Sequence, residues 1–266
     1  MLANFHTHTI FSDGKNTPEE IVKVALEQGF SAIGFSDHAY TPYDLRYCMK
    51  DEGGYIKEIE KLKEKYKDKI EIYLGVEEDS HALVDRFRFD YIIGSCHYAR
   101  RGGKYYPIDS NYDYFSNCLG VFNNDTIAFA EYYFQHFCKY ILTRKPDVIG
   151  HFDLITKFDE AQQERYLHNS TYWGLAEKYC LEALKSGSIF EVNTGLMTRG
   201  VRSSACPHER LLHTICKNGG KITLSSDSHE IKTLQGCFAE IKIMLKDVGF
   251  QYIYILKNKE WTKSFI

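Results

Sequence analysis

Short runs of apolar and β-branched residues recur along the chain, at Leu2 to His6, Ala32 to Ser36, Ile70 to Val76, Tyr91 to Ser95, Val148 to Gly150, Ile189 to Val192 and Ile222 to Leu224. Each is continuously apolar instead of alternating, which predicts strands covered on both faces, as in a parallel sheet. Between them the apolar positions change to a spacing of three and four, which predicts helices. The clearest begins at Thr17, a capping residue followed by Pro18 at the first helical position and Glu20 at the capping-box position. Ile21, Val22, Ala25 and Leu26 then share one stripe, and Gly29 closes the helix. Gly54 to Lys67, Thr126 to Thr143, Tyr172 to Ser186, His208 to Asn218 and Thr233 to Val248 follow the same rhythm. Strands alternating with helices predict βα units around a parallel sheet, an arrangement that a barrel satisfies.

Two stretches follow neither rhythm. Ala39 to Gly53 is irregular, and Ala99 to Asp125, rich in Gly, Asn and Tyr, reads as one long loop. Loops beyond about 12–15 residues in a compact domain usually face substrate or cover a site. No fixed-period repeat or Pro/Ser-rich linker interrupts the chain, so residues 1–266 are read as a single domain.

Composition excludes several roles. With 44% hydrophobic and 26% charged residues the chain has a globular composition, not a disordered or fibrous one. Lys and Arg number 33 against 36 Asp and Glu, without long runs of one sign, so nucleic acid is not an expected partner. No apolar run approaches the roughly 18 residues of a membrane span. Eight cysteines without a C-x-x-C pair read as reduced thiols, which points to the cytoplasm.

The chemistry begins at His6-Thr7-His8, where two imidazoles leave the end of the first strand on one side. Asp227-Ser228-His229 repeats that spacing after the last barrel strand. Between them His38, Glu77, His97 and His151 each follow a strand candidate. In a parallel barrel the carboxyl ends of the strands share one face, so ligands distant in sequence converge there. Asp13 lies in Ser12-Asp13-Gly14, which is either an ordinary turn or a further ligand on the same face. These nitrogen and oxygen donors, without thiolate, suit zinc, manganese or iron. Nine groups exceed the needs of one ion; with one bridging carboxylate they would serve two or three and leave positions open for water and substrate. His81 is a possible substrate contact near this face, whereas His136, His168, His208 and His213 sit in or beside helices and read as structural or solvated.

In chain order these motifs are H-x-H at His6, S-D-G at Asp13, S-D-H at His38, G-V-E at Glu77, G-S-x-H at His97, G-H-x-D at His151, E-V-N-T at Glu191 to Thr194 and S-D-S-H at His229. As a set they resemble the polymerase and histidinol phosphatase (PHP) family, and within it the histidinol-phosphate phosphatases. The resemblance implies a TIM-like, distorted (β/α)7 barrel with a trinuclear metal centre. By matching position, one ion takes His6, His8, Glu77 and Asp227, a second Glu77, His97 and His151, and a third Asp13, His38 and His229. Some similar members carry a histidine where Asp13 stands. The resemblance also implies a phosphate-binding arginine at Arg199, with Arg202 in reserve; Arg100 and Arg101 are weaker candidates for the mouth.

The expected activity is hydrolysis of a phosphate monoester, L-histidinol phosphate, by a hydroxide held between two ions bridged by Glu77. Arg199 would share the charge on the phosphoryl oxygens, and Asp227 or His229 would protonate the departing alkoxide. Tyr40, Tyr43, Asp44, Tyr105, Tyr106, Asp109 and Asp113 offer rings and carboxylates for the imidazole and ammonium of the substrate. Two other readings stay open: a PHP phosphoesterase acting on nucleotides, sugar phosphates or phosphotyrosine, and a metal-bearing module without catalysis. The sequence leaves the oligomeric state open.

Overall fold

The computed structural model describes residues 1–162 and 165–266. The first half runs β1 (Ala3–Asn4), α1 (Pro18–Glu27), β2 (Ala32–Phe35), α2 (Glu52–Tyr66), β3 (Glu71–Asp79), β4 (Tyr91–Ser95), β5 (Tyr98–Arg101), β6 (Lys104–Pro107), α3 (Tyr112–Gly120) and α4 (Thr126–Arg144). The second half runs β7 (Val148–Ile149), α5 (Ser170–Leu184), β8 (Ile189–Asn193), α6 (Gly195–Thr198), α7 (Glu209–Lys217), β9 (Ile222–Ser225), α8 (Phe238–Val248), β10 (Tyr252–Lys257) and β11 (Glu260–Phe265). All seven apolar runs of the sequence are strands. They lie in one parallel sheet, β1-β2-β3-β4-β7-β8-β9, which makes the nearly closed (β/α)7 barrel that the sequence predicts.

The barrel closes at its carboxyl rim. There His8 N donates to the Ser228 carbonyl (2.8 Å) and Ser228 N to the His6 carbonyl (3.1 Å), so the His6-Thr7-His8 and Asp227-Ser228-His229 segments pair with each other. Below this pair the Asn4 side chain bridges the gap, donating to Ser226 Oγ (2.7 Å) and to the Leu234 carbonyl (3.0 Å).

One buried ring packs directly against β2 and β3. Tyr91 lies fully buried and donates its hydroxyl to the carbonyls of Phe5 (2.6 Å) and Phe35 (3.2 Å). A Cβ on Gly34 would come within 2.3 Å of that hydroxyl, and one on Gly75 within 2.2 Å of the ring. These two strand glycines are therefore the space the tyrosine occupies. At the amino end of the barrel Trp261 packs edge-on against Phe5, with ring centroids 5.3 Å apart.

Differences from the expected elements have local causes. Ala99 to Asp125 is not one loop: it continues the β5–β6 hairpin, then holds α3. The hairpin turns at Gly102-Gly103, both at positive φ, as a two-residue turn between strands requires. The last helix starts at Phe238, not Thr233, because Cys237 takes a left-handed conformation. The β10–β11 hairpin, turning at Asn258-Lys259, was not foreseen. The capping box of α1 is present as predicted, with Thr17 and Glu20 each bonding the other's backbone N–H. Among the described residues no helix is long and apolar enough to cross a membrane, and all eight cysteines are free.

Candidate metal centre

The carboxyl rim gathers the ligand candidates around Glu77, whose two oxygens face different imidazoles. Oε1 lies 2.9 Å from His151 Nε2 and 3.3 Å from His97 Nε2. Oε2 lies 2.8 Å from His38 Nδ1, 3.3 Å from His6 Nε2 and 3.7 Å from His8 Nε2. Ser95 donates to Oε1 (2.6 Å) and fixes the carboxylate plane. Asp227 Oδ1 faces His8 Nε2 (3.2 Å) and His6 Nε2 (3.7 Å) from across the barrel seam. Asp13 Oδ1 stands 3.4 Å from His229 Nε2 and 3.8 Å from both His8 Nδ1 and His38 Nε2.

Three overlapping groups are tight enough to share a cation: His8, Asp13, His38 and His229; His6, His8 and Glu77; and His38, Glu77 and His97. His6 Nε2, His8 Nε2 and Glu77 Oε2 are buried and point at one another without hydrogen-bond partners. An orphaned buried polar atom costs about 1–3 kcal/mol, and a divalent cation would satisfy all three. The donor set therefore fits metal ions. All nine residues expected as ligands lie at this rim, Asp13 included; seven fall in these groups, with His8, His38 and Glu77 in two each, while His151 and Asp227 stand beside them, 2.9 Å from Glu77 Oε1 and 3.2 Å from His8 Nε2.

The local chain explains the convergence. Asp37 accepts from Thr9 N (2.8 Å), Ser12 N (3.0 Å) and Ser12 Oγ (2.6 Å), folding the loop after β1 back so that Asp13 faces His8. Gly14 permits this approach, since a Cβ there would lie 2.4 Å from the His8 carbonyl oxygen. Asp227 adopts φ +47°, a strained conformation for a non-glycine residue of the kind that clusters at functional sites. Burial, then His229 and His38, lower the pKa of His8 to about 3, so its imidazole is neutral and able to ligate. Burial opposes charge on Glu77, but His38, His6 and His97 outweigh it and hold the carboxyl well below its usual range.

Glu191, quoted in a motif but not expected at the site, is the main omission. Its Oε1 lies 2.5 Å from His6 Nδ1 and also accepts from the Ser225 hydroxyl, while Oε2 accepts from His151 N (2.7 Å) and Asn193 Nδ2 (3.0 Å). It thereby fixes which nitrogen of His6 faces the centre. A glutamate inside the apolar run Ile189-Phe190-Glu191-Val192 was the available signal, because a buried carboxylate needs partners.

A cavity of about 500 Å³ opens above the cluster. Arg199, just after α6, lines it and donates to the Asp227 carbonyl (3.0 Å). Lys157 and Arg46, which the sequence did not single out, also line it, as do Asp44 and Asp109. Other candidates lie elsewhere. Arg202 is buried against Thr156 and Asp153, its Nη1 2.7 Å from Thr156 Oγ1 and 3.6 Å from Asp153 Oδ1, so it cannot serve as a reserve at the mouth. His81 stacks on His136 (4.1 Å) and sits 3.2 Å from the Tyr98 carbonyl, outside the cavity lining. Arg100 and Arg101 lie over Tyr105 and Phe122. Among the helix-associated histidines, His208 caps α7 and His213 pairs with Glu209.

Fold and site together define a parallel (β/α)7 barrel with a multi-donor imidazole and carboxylate basin at its carboxyl rim. The PHP domain model matches residues 4–195, and the chain belongs to the PHP family. A protein of Schizosaccharomyces pombe named as a probable histidinol-phosphatase is 30% identical over 236 residues, 79% of this chain and 74% of that one. One of the same name from Deinococcus radiodurans is 28% identical over 93% and 94% of the two chains. The crystal structure of histidinol phosphate phosphatase from Lactococcus lactis, complexed with zinc, L-histidinol and phosphate, is 21% identical and superposes with a TM-score of 0.73 over 98% of both chains.

Proposed function

We propose that this chain, as a single domain, hydrolyses L-histidinol phosphate to L-histidinol and phosphate in histidine biosynthesis, using two or three zinc, manganese or iron ions. The supporting observation is Glu77, a buried carboxylate with one oxygen toward His97 and His151 and the other toward His6, His8 and His38. That is the disposition of a bridging ligand. Relatives over most of the chain are named for this activity. Bound divalent cations would supply a water acidified from a pKa of 15.7 toward about 7, and positive charge for the phosphoryl oxygens.

The remaining work falls to the chain itself. Arg199 donates to the Asp227 carbonyl and sets its Nη2 3.6 Å from Asp227 Oδ2; from this place on the cavity wall its guanidinium would clamp the phosphoryl oxygens. His229 Nδ1 lies 3.1 Å from the Asp227 carbonyl, which can only accept, so that nitrogen carries hydrogen; it is also 3.6 Å from Asp227 Oδ1. This corner would hold the proton that the departing alkoxide needs. Asp109, on the cavity wall, would take the substrate ammonium, and Tyr47 and Tyr98 would flank the imidazole. The eight free cysteines suit a reducing, cytoplasmic setting.

The test is a panel of phosphate monoesters assayed with added manganese or zinc. Histidinol phosphate should rank among the best substrates; a clear preference for nucleotides, sugar phosphates or phosphotyrosine would overturn the substrate assignment. Metal-loaded protein that turns over none of them would support the non-catalytic module instead.

A further inference from the structure

Behind His97 a line of contacts leads out of the centre to the irregular segment 39–53. Asp79, at the end of β3 and 3% exposed, accepts from the His97 backbone N–H on Oδ2 (2.9 Å), and the same oxygen lies 3.4 Å from His97 Nδ1. Its other oxygen, Oδ1, accepts from the Tyr43 hydroxyl (2.6 Å) and from His81 N (2.9 Å). Tyr43 is itself clamped. Its ring stacks on Tyr105 of the β5–β6 hairpin, with centroids 3.8 Å apart and planes within 6°, and meets Tyr98 edge-on at 5.0 Å. The neighbouring residues Asp44, Arg46 and Tyr47 line the cavity, and Tyr98 donates to Asp44 Oδ2 (2.8 Å).

The chemistry of these contacts has one direction. Among the described residues His97 Nδ1 is buried without a hydrogen-bond partner, and Asp79 Oδ2, 3.4 Å away, is the carboxylate oxygen that faces it. Burial and Asp79 together raise the Tyr43 phenol, so the tyrosine donates and the carboxylate accepts. Carboxylates that orient an imidazole from behind typically change metal affinity about 10–100-fold when removed.

We infer that Tyr43 is a positioning residue: through Asp79 it holds the His97 imidazole in its metal-facing orientation, and it ties that ligand to the segment that walls the substrate cavity. This rests on His97 being a metal ligand. The hydroxyl is the element that matters, because the ring alone would only pack.

The test is zinc retention by the loaded protein in competition with a chromophoric chelator, read together with thermal melting. Tyr43→Phe keeps the stacked ring and loses only the bond to Asp79; it should weaken at least one zinc about tenfold with the stoichiometry at saturation unchanged. Tyr105→Phe, which loses a hydroxyl outside this line of contacts, should bind as the parent does. His97→Ala should lose that zinc outright. Tyr43→Phe binding zinc like the parent, while His97→Ala loses it, would overturn the inference and leave the metal reading intact. Equal weakening in Tyr43→Phe and Tyr105→Phe would also overturn it, by reducing the effect to general loosening of the tyrosine stack. Full zinc binding by His97→Ala would overturn both readings.

Discussion

Gly75→Ala is a one-methyl change whose cost the barrel geometry determines. The added Cβ would fall 2.2, 2.4 and 2.6 Å from three ring carbons of Tyr91, well inside any contact distance. The ring is fully buried, and moving it away strains its bonds to the carbonyls of Phe5 (2.6 Å) and Phe35 (3.2 Å). Overpacking a filled interior costs about 1–3 kcal/mol. Each strained hydrogen bond adds roughly 0.5–1.5 kcal/mol. Reduced freedom of the unfolded chain returns about 0.4–1 kcal/mol. The net loss is roughly 1–5 kcal/mol, with a middle value of about 3, which at about 2–4 °C per kcal/mol lowers the melting temperature by on the order of 10 °C. Thermal and urea melts measure it, and the same substitution in a Tyr91→Leu background separates the cause, since the clash is then gone. A Gly75→Ala protein melting within about 2 °C of the parent, or losing as much stability in the Tyr91→Leu background, would refute this account of the strand glycines.

Other perturbations bear on the centre. Glu77→Gln replaces one carboxylate oxygen by an amide nitrogen that donates into a ring of ligand nitrogens; turnover should drop by about a thousandfold or more and elemental analysis should find fewer ions, with the far-ultraviolet circular dichroism unchanged. Arg199→Ala should lower kcat/KM for the monoester by roughly 10–150-fold, the equivalent of the about 1.5–3 kcal/mol of a hydrogen bond to a charged group, while the metal content stays at the parent value. Chelation should abolish turnover and lower the melting temperature; because ligands bind the folded state, added zinc at about a hundred times its dissociation constant should restore roughly 2.7 kcal/mol, and a melting temperature independent of zinc would contradict the site.

The strands and the ligands were legible for the same reason. A parallel strand buried on both faces must be a continuous apolar run, and a polar residue at its carboxyl end, such as His38, Glu77, His97 or His151, has no place but the rim. Glu191 was less legible because the apolar run resumes after it at Val192, whereas Glu77 is followed by Glu78 and Asp79, and only the cost of burying a carboxylate marks Glu191 as paired. The β5–β6 hairpin follows a Gly-Gly signal in Arg101-Gly102-Gly103-Lys104, but it is short, and its Tyr-rich strands show no alternation that separates them from a loop. Lys157 and Arg46 escaped because an isolated cation in a loop carries no pattern; only the tertiary arrangement brings them to the cavity. The failure of Arg202 is of the opposite kind. A nearby arginine in the same loop turned inward to Asp153, and sequence proximity to Arg199 says nothing about direction.

The pairing of His6 and His8 with Ser228 also constrains when this protein can become complete in a cell. Donors contributed from residue 6 through residue 229 cannot assemble while the ribosome still holds the later part of the chain. A nascent chain that has released its first four strands can present His6, His8, His38, Glu77 and His97, but without Asp227 and His229 its barrel has no seam. The complete donor set of the candidate metal centre therefore exists only once residue 229 has reached the rim, and a chain interrupted before that lacks the corner formed by Asp227 and His229.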